Sequence, residues 1–85
     1  MKRDAQVRFL LKAEYMRRLA RYHRMDRLLT QRYGMTFEEF NASRMVRQKD
    51  YSWDVETDAM DWETAMSGIK TVERKLKGLS EADRV

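Results

Sequence analysis

Residues 33–40, which read YGMTFEEF, decide the fold because they place a helix stop directly before a helix start. Gly34 is the residue type that most readily adopts the left-handed conformation in which helices end. Thr36 and Glu39 have the spacing of a capping box, a pair of reciprocal hydrogen bonds between side chain and backbone in the first turn of a helix. The stretch therefore predicts a sharp corner between two helices.

Upstream of this corner, the sequence predicts one long helix over residues 4–33, with Asp4 as its N-cap. Apolar residues three or four positions apart form one stripe along it, namely Val7, Leu11, Tyr15, Leu19, Tyr22, Met25, Leu29 and Tyr33. A second apolar row on nearly the opposite side consists of Phe9, Ala13, Met16 and Ala20. A helix that is apolar on two sides needs two neighbours. One is the last helix of the chain, and the second row predicts a homodimer.

Downstream of the corner we expect, in order, a short helix over residues 36–43, a connector over 44–51, a long helix over 52–77 and, after Gly78, a frayed tail over 78–85. The last helix has its own apolar stripe, made of Val55, Ala59, Trp62, Met66, Ile69, Val72 and Leu76. Trp53 and Met60 face away from this stripe. The expected fold is a single all-α domain over residues 1–85, in which the two long helices pack as a helical hairpin.

The composition agrees with an all-α chain. Charged residues make up 38% and hydrophobic residues 42% of the sequence, and proline is absent, as is typical of long solvated helices. No apolar run approaches the ~20 residues that span a bilayer, and none resembles a signal-peptide core, so we expect neither export nor membrane insertion. The lack of cysteine excludes disulfides and thiol chemistry and fits a reducing cytoplasm.

The sequence offers little for catalysis. His23 is the one histidine and stands among arginines, and no nucleophile triad, zinc-protease motif, phosphate-binding loop or dinucleotide-binding pattern occurs. Asp54, Asp58 and Asp61 share a helix face, but without a histidine or a glycine turn we interpret them as an acidic helix start favoured by the helix dipole. We therefore expect a chain that is not an enzyme and that holds no metal and no cofactor.

Charge is unevenly distributed. Residues 1–33 hold ten Lys/Arg and three Asp/Glu, whereas residues 50–63 hold six acids and no base. The acidic segment also carries three large aromatic residues, a composition suited to a surface that is steered by a basic partner and anchors in its pockets. The candidate partner-binding residues are Tyr51, Trp53, Asp54, Asp58, Met60, Asp61 and Trp62, of which Trp62 also lies on the core stripe.

A second candidate surface is the arginine ridge of the first helix, made of Arg17, Arg18, Arg21, Arg24 and Arg27. A phosphate backbone could lie along such a ridge, so direct binding of nucleic acid is one interpretation. In the other interpretation, the arginines solvate a long helix and pair with acids on a neighbour. Base-specific readout has no support in the sequence.

The corner at residues 33–40, followed by an acidic aromatic stretch and the sequence DAMDWE at residues 58–63, resembles the small antitoxin-like proteins of prokaryotic toxin–antitoxin operons. The resemblance covers residues 28–66, while the arginine-dense first helix and the basic tail after Glu63 depart from it. It implies a small toxin as partner, often an enzyme acting on nucleic acid, whose basic cleft the acidic segment covers. The alternatives are a nucleic-acid-binding or assembly subunit and a structural peptide of a phage or conjugative element.

Overall fold

The computed structural model describes residues 2–82, which form four α-helices and no strand. The helices are α1 (Lys2–Tyr33), α2 (Phe37–Ala42), α3 (Met45–Gln48) and α4 (Trp53–Ala82). The long helices α1 and α4 pack against each other along a rod of 57 × 18 × 18 Å. The predicted all-α helical hairpin is confirmed.

The corner forms as its sequence predicts. Gly34 has φ +66°, and its N–H donates a 2.8 Å hydrogen bond to the carbonyl of Thr30. Both hydrogen bonds of the capping box are present: the N–H of Glu39 donates to Thr36 Oγ1 over 3.1 Å, and the N–H of Thr36 donates to Glu39 Oε1 over 3.2 Å. These local bonds turn α2 back across the end of the hairpin.

The connector and the C-terminal end differ from the prediction. The connector contains the single-turn helix α3, whose Met45 and Val46 pack against the core and order the segment. The prediction that Gly78 ends the last helix is wrong, because α4 continues through it to Ala82. Leu79 stabilises this extra turn, since it is half-buried and lines a cleft against α1. Residues 83–85 of the predicted tail lie outside the described residues.

The core lies at the closed end of the hairpin, around Trp62. This side chain has no exposed surface, which confirms that it belongs to the core stripe. Its ring centroid lies 5.1 Å from that of Phe40, 5.5 Å from that of Phe37 and 6.0 Å from that of Tyr33. Leu29 and Val55 complete the buried cluster. The corner therefore places α2 as a cover over the indole.

Packing is thinner at the open end. Ala65, Ile69 and Val72 of α4 are buried, but Val7 and Leu11, at the start of the predicted stripe, are 52% and 39% exposed. One neighbouring helix covers a narrow arc of α1, so the first turns of the predicted apolar stripe stay largely exposed. In the second apolar row, Phe9 is 70% and Met16 49% exposed.

Candidate protein-binding surface

Two large apolar side chains of α4 point into solvent. Trp53 is 79% and Met60 69% exposed, on the side of the helix opposite Val55 and Trp62. The step of seven positions from Trp53 to Met60 makes nearly two turns, so the two side chains lie about 10.5 Å apart along one line. Because α4 already begins at Trp53, the predicted orientation of this side chain is confirmed.

Acidic side chains flank this apolar line on both sides. Asp54 and Asp61 follow the two anchors by one position, and Glu56 and Glu63 follow them by three. At 100° per residue these offsets place one row of carboxylates on each side of the Trp53–Met60 line. We call this set of six residues the acidic aromatic face. Tyr51, which precedes α4, is 59% exposed and lies near its start.

Asp58 belongs to the interior of the hairpin rather than to this face. Its carboxylate accepts hydrogen bonds of 2.8 and 2.9 Å from Nη1 of Arg32 and one of 2.5 Å from the hydroxyl of Tyr33. The side chain of Asp58 is 14% exposed. Burial, followed by the hydrogen bond to Asp58, raises the pKa of Tyr33 to about 12. The hydrogen bond to Asp58 likewise raises the pKa of Arg32.

Trp62, which was predicted to contact a partner, does not reach the surface. Its indole lies inside the core, and Nε1 donates a 2.9 Å hydrogen bond to Oδ1 of Asp26 on α1. A fully buried ring cannot reach a partner without unfolding the closed end. Of the seven predicted contacts, the exposed ones are Tyr51, Trp53, Asp54, Met60 and Asp61.

Sequence reasoning missed Glu56 and Glu63 as members of the face. Their signal was available, because they repeat the seven-residue spacing of Trp53 and Met60. The net charge of the whole segment does not distinguish these two acids from the others, whereas their position on the helix does.

The predicted arginine ridge divides into two parts. Arg17 and Arg18 both donate to the carboxylate of Glu14, at 2.8–3.2 Å, and these hydrogen bonds lower the pKa of Glu14. The other three arginines are exposed and make no ion pair within residues 2–82. Together with Met25, Leu28 and Gln31, the residues Arg21, Arg24 and Arg27 line an open groove of about 580 Å³.

No protein family, characterised protein or solved structure matches this sequence. The antitoxin resemblance therefore stays a prediction. Over the part of the chain that the structure describes, no helix is long and apolar enough to cross a bilayer, and no cluster of three or more His, Cys, Asp or Glu residues is placed to hold a metal ion. The chemistry of the acidic aromatic face is what remains to indicate a function.

Proposed function

We propose that this chain is a non-catalytic protein-binding module that binds a basic partner through the acidic aromatic face. One observation carries the proposal: Trp53 and Met60, at 79% and 69% exposure, form a line between two rows of acids. Single exposed apolar residues need no explanation, but aligned ones rimmed by polar groups mark interaction surfaces. Tryptophan in particular is enriched among the residues that dominate binding energy.

The face is held rigidly. Its residues stand on one continuous helix, and the opposite side of that helix is fixed by Val55 and Trp62 in the core. A surface that is ordered before binding loses less conformational entropy on association. The carboxylates accelerate encounter with a positively charged surface, while the two apolar side chains supply contact area.

The partner class that we propose is the toxin of a prokaryotic toxin–antitoxin pair, acting in the cytoplasm. The resemblance over residues 28–66 supports this class. The negative charge of the acidic aromatic face also supports it, since an enzyme that acts on nucleic acid has a basic cleft for phosphates. The carboxylates beside Trp53 and Met60 would lie in that cleft and block access of the nucleic acid.

The product of the adjacent reading frame is the first partner to test. It should be expressed alone, with this chain, and with the Trp53→Ala variant. We expect growth arrest by the partner alone, rescue and co-purification with the unchanged chain, and weaker rescue with Trp53→Ala. Leu10→Ala is the matched control, because Leu10 is 64% exposed, lies at the open end and belongs to neither apolar row of α1. Equal rescue by both variants would refute the assignment of this face.

Three arginines that have no ion pair within residues 2–82 favour a second candidate function, binding of nucleic acid. Arg21, Arg24 and Arg27 have no acid partner in the described part of the chain, so their charges remain available to phosphates. Contacts with about three phosphates of a duplex would give a slope near −3 in a plot of log affinity against log salt concentration. Replacing all three by glutamine should remove most of that slope if the ridge binds nucleic acid.

A further inference from the structure

The outward side of α4 carries three rows of residues at strict seven-residue intervals. Seven residues make nearly two turns, so each row stays on one side of the helix and drifts by about 20° per repeat. One row holds the exposed anchors, the second holds small side chains, and the third changes the sign of its charge halfway along. The anchor row consists of Trp53, Met60, Ser67 and Arg74. The small-residue row consists of Thr57, Thr64, Thr71 and Gly78. The charged row consists of Glu56, Glu63, Lys70 and Lys77.

The charged row has no partner among the residues that the structure describes. Its four members make no ion pair and no side-chain hydrogen bond with any residue in the range 2–82. The helix dipole favours acids in a first turn and bases in a last turn, but its effect falls off within that turn. Glu63 and Lys70 lie more than two turns from either end of α4, so the dipole does not account for their signs.

The row becomes self-complementary when two copies of α4 lie antiparallel. In one register, Glu56 lies opposite Lys77 of the second copy. One repeat further along, Glu63 lies opposite Lys70 of the second copy. The two-fold axis generates each pair twice. Charges beside the seam of paired helices are what set their orientation and their choice of partner.

The same register fits the other two rows. The pairs across the seam are Trp53 with Gly78, Met60 with Thr71 and Thr64 with Ser67, the second residue of each pair belonging to the second copy. The largest exposed ring thus lies opposite the smallest residue. A Cβ added at Gly78 would meet no atom within 4 Å, so the space over this glycine is open in the single chain. Small residues along a seam allow two helices to approach to about 8–10 Å.

We infer that the Trp53–Met60 side of α4 binds a second copy of this chain, giving an antiparallel dimer whose two-fold axis passes between Thr64 and Ser67. The paired α4 helices form its centre, and the α1 helices lie outermost. The accessible surface of 6838 Å² exceeds the value of about 5,400 Å² expected for a compact chain of this mass. The excess is more than the ~800 Å² that each partner of a stable interface buries.

This interface differs from the homodimer predicted from the second apolar row of α1. That row is exposed at Phe9 and Met16, but Lys12 flanks it on one side, and Arg17, which pairs with Glu14, flanks it on the other. Two copies of this side of α1 would bring like charges together, whereas two antiparallel copies of α4 bring opposite charges together. Charge complementarity therefore selects α4.

The inference deepens the proposed function and rests on it in one respect, because it names a partner for the same acidic aromatic face. A toxin bound at Trp53 and Met60 displaces the second copy. The chain without a toxin is then a dimer, and the dimer must dissociate for the toxin to bind.

Sedimentation equilibrium of the full-length chain over a wide range of concentrations tests the inference. We expect a monomer–dimer equilibrium that weakens with salt. The double variant Glu56→Lys, Glu63→Lys places four lysines along the row and should raise the dimer dissociation constant more than about tenfold. The matched control, Glu38→Lys with Glu73→Lys, changes the net charge equally at exposed sites outside the three rows, and it should dimerise as the unchanged chain does.

A charge exchange tests the pairing itself. The double variant Lys70→Glu, Lys77→Glu should also be monomeric alone, and an equimolar mixture of the two double variants should form a heterodimer. The fourfold variant that combines all these reversals should recover the homodimer. Circular dichroism confirms that each variant remains helical.

The outcomes separate this inference from the proposed function. An unchanged chain that is monomeric at every concentration would overturn the dimer, as would a dimer that resists the charge reversals. Either result leaves the toxin test on Trp53→Ala standing. A charge-dependent dimer without rescue by the chain would instead retain the dimer and refute the toxin as partner.

Discussion

The indole Nε1 of Trp62 donates a hydrogen bond of 2.9 Å to Oδ1 of Asp26, and this bond joins the two long helices across 36 positions of sequence. A buried tryptophan usually finds an acceptor for its N–H, because the ring can be desolvated cheaply only if this group stays paired. This hydrogen bond explains why an acid, Asp26, stands among the apolar residues on the inner side of α1.

Asp26→Leu should destabilise the fold by about 1–3 kcal/mol, because it leaves the N–H of Trp62 buried without an acceptor. Asp26→Asn is the matched control, since its amide oxygen can still accept this bond, and it should cost less. Urea unfolding followed by tryptophan fluorescence measures both. Equal losses in the two variants would show that the hydrogen bond is not what Asp26 contributes.

Gly68→Ala and Gly78→Ala should have opposite effects although both glycines lie within α4. A Cβ at Gly68 would overlap the ring of Tyr22, so the helices must separate or the ring must move, at a cost of about 1–3 kcal/mol. A Cβ at Gly78 meets nothing within 4 Å, and alanine there should stabilise the helix by about 0.5–1 kcal/mol. Thermal unfolding at low protein concentration, where the monomer predominates, compares the two.

The closed end should lose stability at high pH through Tyr33. Burial and the bond to Asp58 raise its pKa to about 12, above the ordinary value near 10. A pKa raised in the folded chain means that this contribution is fully present below about pH 10 and is lost as the pH rises towards 12. Tyr33→Phe should cost about 0.5–1.5 kcal/mol at neutral pH by removing the bond.

A pH series of urea unfolding tests this, with Tyr51→Phe as the control because Tyr51 is exposed and outside the core. The loss of stability between about pH 10 and 12 should become shallower in Tyr33→Phe and stay unchanged in Tyr51→Phe. An identical pH dependence in all three proteins would contradict the role of Tyr33.

The features that could be predicted from the sequence are those set by neighbouring residues. The corner follows from Gly34 and the Thr36–Glu39 capping box, whose hydrogen bonds form within three positions. Burial of Trp62 and exposure of Trp53 follow from helical periodicity once α4 is placed. Local backbone chemistry and the helical period are therefore sufficient for the hairpin and for the two apolar anchors of the face.

Contacts between segments that lie far apart in the chain could not be predicted from the sequence. A connector was expected because the segment lacks a clear helical period, yet it contains α3. Arg44, Asp50 and Tyr51 around this turn have φ between +54° and +56°. Between these positions, Met45 and Val46 pack against the core. Asp58 was likewise expected to contact a partner protein, because the residues that donate hydrogen bonds to it, Arg32 and Tyr33, lie 25 or more positions away in the sequence.

The two tryptophans should respond in opposite ways to truncation although they stand nine positions apart in one helix. Trp62 has no exposed surface and lies against three aromatic rings, so Trp62→Ala should lower the free energy of unfolding by about 3–5 kcal/mol. Trp53 is 79% exposed, so Trp53→Ala should leave helicity and stability nearly unchanged.

Trp53→Ala, which should leave stability nearly unchanged, should weaken binding strongly. Removing an interface anchor of this size should weaken association, with a second copy or with a toxin, by about 2 kcal/mol or more. Met60→Ala provides a graded comparison, because Met60 is 69% exposed on the same line and offers a smaller, more flexible contact. Unfolding curves and binding titrations on the three alanine variants decide the matter. If Trp53→Ala unfolds the free chain while Trp62→Ala leaves it folded, the inner and outer sides of α4 have been assigned the wrong way round.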